Sequence, residues 1–91
     1  MAGRGGFLVL DEPDAWLSLM SQISLATQLA QLRGDGIQVL MATHSPVLAA
    51  VPGARIIELD ETGFAPRDWD ELKTVALYRR FLADPGFFGL D

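Results

Sequence analysis

Two short apolar runs, Phe7-Leu8-Val9-Leu10 and Ile37-Gln38-Val39-Leu40-Met41-Ala42, lie on either side of one helical period, and each stops abruptly at polar residues. Few folds accept that pattern. A strand, a crossover helix and a second strand of one sheet form a parallel, right-handed unit. The first run, bounded by Gly5-Gly6 and Asp11-Glu12-Pro13, reads as a strand buried on both faces. From about Leu17 to Arg33, the residues Leu17, Met20, Ile23, Ala26, Leu29 and Leu32 recur at helical spacing, and Gly34 and Gly36 supply the stop. The second run ends at Thr43-His44-Ser45-Pro46, where the proline discourages continuation of the strand.

The turn Pro52-Gly53 precedes a third strand, Arg55 to Leu59, and Phe64 to Arg67 is expected to pair back on it as a hairpin across Glu61-Thr62-Gly63. Asp70 is the expected cap of a last helix from about Glu71 to Ala83, with Leu72, Val75, Leu77, Phe81 and Leu82 as its apolar residues and Pro85-Gly86 ending it. No repeat, low-complexity tract or linker divides the sequence, so residues 1–91 are read as one α/β unit. Ligands of such sheets collect at the carboxyl ends of the strands, where both polar clusters lie.

The chain has 91 residues, a short length that leaves little stability to spare. Its net charge of -5 lacks the electrostatic footprint of a free-standing nucleic-acid binder, although contact with DNA through partners stays open. There is no cysteine, hence no disulfide framework or thiolate zinc site. No apolar run approaches the roughly 20 residues of a membrane helix, and the first residues are no secretory signal. A soluble, cytoplasmic protein is expected.

Asp11-Glu12 holds two carboxylates at the end of a strand that leaves a dry core. Just past a strand end, adjacent side chains can converge on one ligand. One can hold magnesium through water while the other takes a proton from an attacking water. Alone, such a pair is an ordinary polar turn, and a lone histidine before Ser-Pro is an ordinary turn residue. Together they read differently, because both strand ends of a helix-linked unit can face one crevice. A neutral imidazole there can hydrogen-bond a phosphate oxygen or the water.

Phe7-Leu8-Val9-Leu10-Asp11-Glu12-Pro13 resembles the Walker B strand of ABC-type ATPases. Ala15-Trp16-Leu17-Ser18 falls where their D-loop lies, and Ala42-Thr43-His44-Ser45-Pro46 resembles their switch-histidine loop. The form Thr-His-Ser-Pro, the following Val47-Leu48 and Pro52-Gly53-Ala54-Arg55-Ile56, and the tail Tyr78 to Pro85 are most similar to the predicted AAA-type ATPases related to the RecF and SMC proteins. The resemblance covers nearly the whole chain. It implies a partial P-loop NTPase sheet of mostly parallel strands with flanking helices, the part from Walker B to the closing helix. It also implies ATP and Mg2+ as cofactors, with Asp11 holding magnesium through water, Glu12 as general base, His44 contacting the γ-phosphate and Ser18 meeting a partner subunit. The parent domain would act as a homodimer. Two positions depart from the group: Leu19 stands where a proline often opens the helix, and Asp14 replaces Glu or Thr.

The larger departure is an absence. No Gly-x-x-x-x-Gly-Lys-Ser/Thr stretch occurs, Gly3-Arg4-Gly5-Gly6 has neither its spacing nor its lysine, and no Ser-Gly-Gly signature precedes the Walker B strand. Without that cradle of backbone N–H donors, nucleotide affinity should be very low and the chain should not hydrolyse ATP by itself. The resemblance also puts a phosphate-loop strand between Ile37 to Ala42 and Arg55 to Leu59. Without it, these two strands are expected to pair directly, or to have the gap filled by a second molecule.

Trp16 and Trp69 are assigned to the core or to a subunit contact, Arg79-Arg80 to the dipole of a helix C-terminus, and the acids from Glu58 to Glu61 to solvent. Three functions fit: an ATPase part needing its missing half; a degenerate, non-catalytic module pairing with a complete ATPase; and a helicase-like enzyme reading Asp11-Glu12-Pro13-Asp14 as an Asp-Glu-x-Asp box. The last fits least, since it too needs a phosphate loop. A phosphate loop encoded upstream, or in the neighbouring reading frame, would favour the first and make Met1 a truncation point. Its absence would favour the second.

Overall fold

The computed structural model describes residues 6–90. Their contacts form two compact units that divide between Ala54 and Arg55. The first unit contains β1 (Gly6–Asp11), α1 (Leu19–Gly34), β2 (Ile37–Ala42) and a 3-10 turn, Leu48–Ala50. As the sequence predicts, β1 and β2 run parallel, in register from Gly6 opposite Ile37 to Asp11 opposite Ala42. Gly5 and the residues before it lie outside the described residues, with the glycine-rich stretch they contain.

The strand β1 is not buried on both faces. Leu8 and Leu10 are half-buried, as are Val39 and Met41 opposite them, whereas Phe7, Val9 and Leu40 are about three-fifths exposed. One face of the pair is covered and the other is a bare apolar surface.

Ser18 caps α1, its Oγ accepting from Ser21 N at 3.2 Å, so the helix begins two residues later than the periodicity suggests. It closes through Asp35 N donating to the Gln31 and Leu32 carbonyls and Gly36 N donating to Arg33 O. Gly36 follows at φ 83°, a left-handed conformation that glycine alone adopts without steric cost. The packed stripe of α1 also differs from the expected one. Leu25, Leu29 and Leu32 follow the 3.6-residue repeat inward with Gln22 one turn before them, while Met20 and Ile23 face outward. Among the described residues of this unit, Leu29 and Leu48 are the buried apolar ones.

In the second unit, β3 (Ile56–Asp60) and β4 (Gly63–Arg67) form the expected antiparallel hairpin, with Ile56 opposite Arg67 and Asp60 opposite Gly63. A 3-10 turn, Trp69–Glu71, leads to α2 (Lys73–Ala83), and a second one, Pro85–Phe88, follows it. Asp70 does not cap α2. Asp68 and Glu71 form a capping box on the 3-10 turn instead, Asp68 N donating to Glu71 Oε1 at 2.9 Å. The first N–H of α2 is satisfied from the hairpin, Lys73 N donating to Glu58 Oε2 at 2.8 Å. Pro85 opens its own turn, with Asp84 Oδ1 accepting from Gly86 N, rather than simply ending a helix. Leu72 and Val75 are buried, whereas Leu77 and Leu82 are exposed.

Further expectations are corrected here. The pairing is not mostly parallel: one pair is parallel and one antiparallel. Of the two outcomes expected for β2 and β3, direct pairing is not formed, since β2 bonds only to β1 and β3 only to β4 among the described residues; a second molecule along β2 stays an expectation. The backbone groups that a neighbouring strand would satisfy on β2 therefore stay without a ladder. Of the two places expected for Trp16, core or subunit contact, its 96% exposure removes the core, and Trp69 is over one third exposed with the Arg79 guanidinium 5.6 Å from its ring. Arg80 stacks over Phe87 at 4.4 Å, so both arginines have aromatic partners besides the helix dipole. The acids of β3 are not simply solvated: Asp60 pairs with Lys73 Nζ at 2.7 Å, and Glu58 lies 3.4 Å from Arg67 Nε.

Candidate functional site

The site stands at the carboxyl ends of β1 and β2. In parallel register, Asp11 closes β1 opposite Ala42, and the ladder extends one step further as Glu12 N donates to Ala42 O at 2.7 Å. Glu12 and His44 are therefore delivered from two strands to one place. Glu12 has φ 48°, the one non-glycine residue in the left-handed region among the described residues, a conformation that costs roughly 1–2 kcal/mol. His44 Nδ1 lies 2.9 Å from Glu12 Oε1. Nδ1 is thus the ring nitrogen placed to donate to the carboxylate, and Nε2 is the other edge of the ring.

Both side chains remain accessible: His44 is 88% exposed and Glu12 52%. An exposed pair of this kind contributes roughly 0–1 kcal/mol, which neither offsets the Glu12 backbone cost nor holds the ring still. The arrangement is kept by the loops. The turn after β1 closes through Ala15 N donating to Glu12 O and Leu17 N donating to Asp14 O. The loop after β2 is bonded on both sides of His44. Thr43 Oγ1 donates to Asp14 Oδ1 at 2.6 Å and accepts from Ser45 N at 2.9 Å. Ser45 Oγ donates to Gln22 Oε1 at 2.6 Å and accepts from Leu48 N at 3.1 Å.

Of the residues predicted from sequence, Glu12 and His44 meet directly, and Asp11 lies beside them in the chain at the exposed strand end. Ser18 has another occupation, since its hydroxyl caps α1 and donates to Ser21 Oγ at 3.1 Å. Asp14, Thr43 and Ser45 were named only as members of motifs, with no role of their own, and Gln22 was not singled out. One signal for Gln22 was available: it is the polar residue on the otherwise apolar stripe that contains Leu25, Leu29 and Leu32. Thr43 and Asp14 are far apart in sequence, and nothing local marks them as partners.

A metal would find one carboxylate at Asp11 and a second at Glu12. No group of three or more His, Asp and Glu stands together as a cation cage among the described residues. Magnesium keeps several waters and takes one or two carboxylates plus substrate phosphates, so two carboxylates are a number it can use. Among the described residues no helix is long and apolar enough to cross a membrane.

No protein-family model matches the chain, and no solved structure matches it. A curated relative does: an uncharacterized ABC transporter ATP-binding protein of Haemophilus influenzae is 33% identical over 76 residues, covering 82% of this chain. The match takes in 29% of that protein's length, so the chain spans under a third of it. Over most of its length, this α/β chain is therefore similar to a stretch of an ABC-type ATP-binding protein.

Proposed function

We propose that the chain is the part of an ABC-type ATP-binding domain that runs from the Walker B strand through the switch-histidine loop to the closing helix. The carrying observation is the contact of Glu12 with His44 across the ends of two parallel strands. On this reading, residues 1–91 belong to one partial domain, located in the cytoplasm. Asp11 would hold magnesium through water, and bound Mg2+–ATP would supply the electrophilic phosphorus and its charge neutralisation. Glu12 accepts the proton of an attacking water. His44, whose Nδ1 faces Glu12, would contact the γ-phosphate of a bound nucleotide. Ser18 sets the start of α1 and, with Trp16 beside it, the surface offered to a partner subunit.

The missing element is a phosphate loop, so the partner is the rest of such a domain, or a complete ATPase subunit, in an assembly that is a homodimer of the parent domain. The 29% coverage of the relative and the bare apolar face of β1 and β2 support this incompleteness. A second reading, a degenerate non-catalytic module docking on a complete ATPase, draws support from Trp16, whose 96% exposure suits a contact surface better than a catalytic part.

A chimera decides between them. The matched stretch of the Haemophilus influenzae protein is replaced by this chain, and magnesium-dependent ATP hydrolysis is measured with and without Glu12→Gln. We expect turnover in the chimera and a loss of roughly 10²–10⁴-fold in kcat on removing the base. Turnover unaffected by Glu12→Gln would remove Glu12 from the chemistry. A folded chimera that binds nucleotide without turning it over would favour the docking module.

A further inference from the structure

We infer that Asp14 and Gln22 are positioning residues that hold His44 against Glu12 by bonding the residues on either side of it. This inference rests on reading Glu12 and His44 as one site. His44 is 88% exposed, so packing does not orient its ring, and its contact with Glu12 is itself open to water. What is fixed is the backbone next to it. Thr43 precedes His44 and is tied to Asp14, in the turn after β1, at 2.6 Å. Ser45 follows His44, is 6% exposed, and is tied to Gln22 on α1 at 2.6 Å.

Each anchor is itself held. Gln22 Nε2 donates to Leu17 O at 3.2 Å, which locks the amide so that its oxygen faces Ser45. Ser45 Oγ uses both its donor and an acceptor site, the latter on Leu48 N at 3.1 Å, and Leu48 is fully buried. Thr43 Oγ1 likewise serves twice, donating to Asp14 and accepting from Ser45 N. The histidine loop is thus clasped to the turn after β1 and to α1. Asp14 belongs to the turn that begins at Glu12, so the clasp ties the two halves of the pair to each other.

The test compares variants of the 91-residue chain at one fixed pH of about 8. Ring-nitrogen NMR reads the fraction of His44 protonated at Nδ1, and hydrogen exchange reads the Ser45 amide. Asp14→Ala and Gln22→Leu should each lower the Nδ1–H fraction at least about twofold. Asp14→Ala should also speed Ser45 exchange about fivefold, the loss of one ordinary hydrogen bond. Asp14→Asn keeps an acceptor oxygen and should restore both signals. Asp14 lies in a surface turn, so the β1 and β2 amides should persist and report that the sheet is intact. An unchanged ring and Ser45 amide in Asp14→Ala, or an Asp14→Asn variant that behaves like Asp14→Ala, would overturn the clasp. Neither readout involves nucleotide, so absent ATP chemistry would sink the proposed function and leave this result standing.

Discussion

Glu12 adopts φ 48°, where a side chain with a Cβ is strained, and it does so at the point where β1 hands over to the site. The strain is local and testable apart from any activity. Replacing Glu12 by glycine removes the steric conflict, while valine, branched at Cβ, makes it worse. Glu12→Val should therefore melt below Glu12→Gly, by a difference on the order of 1–2 kcal/mol. Equal melting temperatures would mean that the turn relaxes out of the left-handed region. Asp11, Glu12 and His44 were legible in the sequence because each ends an apolar run, and strand ends converge in parallel sheets. The positive φ of Glu12 was not, since a left-handed glutamate is chosen by the tertiary path of the chain and not by local propensity. Nor were the bonds of Thr43 to Asp14 and Ser45 to Gln22, which exist only once β2 lies beside β1.

The hairpin and α2 are joined by charge. In β3, Ile56, Glu58 and Asp60 share the half-buried side, while Ile57 and Leu59 lie exposed beside Phe64 of β4. The acids on the covered side serve α2: Glu58 accepts from its first N–H, and Asp60 pairs with Lys73. Hydrogen bonds from Lys73 and then Thr62 hold the Asp60 carboxyl below the usual carboxylate range, and Asp60 raises Lys73 above the ordinary lysine value. A depressed acid stabilises the fold above its unfolded value of about 3.9 and loses that contribution as pH falls. A raised lysine stabilises it below about 10.4 and loses that contribution as pH rises. The tie between β3 and α2 should thus be strongest between about pH 4 and pH 10. Protection of the Thr62 amide, which donates to Asp60 Oδ1 at 2.8 Å, should drop on acidification, and Asp60→Asn should flatten that drop. An acid limb unchanged by Asp60→Asn would contradict the assignment. The hairpin and both helices were readable from turn residues and period. The covered face of the hairpin was not, because an alternating strand names two faces without saying which one is packed.

At the scale of the whole chain, the bare surfaces stand out. Phe7, Val9 and Leu40 lie exposed on one sheet, and Ile57, Leu59 and Phe64 on the other. Only Leu29, Leu48, Leu72 and Val75 are buried apolar residues among those described. So small a core, with exposed apolar faces and a β2 edge without a ladder, predicts a chain that self-associates and binds a hydrophobic dye when expressed alone. Val9→Lys, on the bare face of β1, should reduce both. A monodisperse, dye-silent wild-type chain would mean that these surfaces are covered in solution in some other way. The central claim is that the chain holds the carboxylate and histidine half of a nucleotide site without the half that grips phosphate. Isothermal titration of the chain with Mg2+–ATP tests it most directly, beside Glu12→Gln, which removes the base without removing a phosphate contact. We predict no binding heat up to millimolar nucleotide, whereas micromolar binding, about 4 kcal/mol stronger than millimolar, would reveal a phosphate-gripping element and contradict the account.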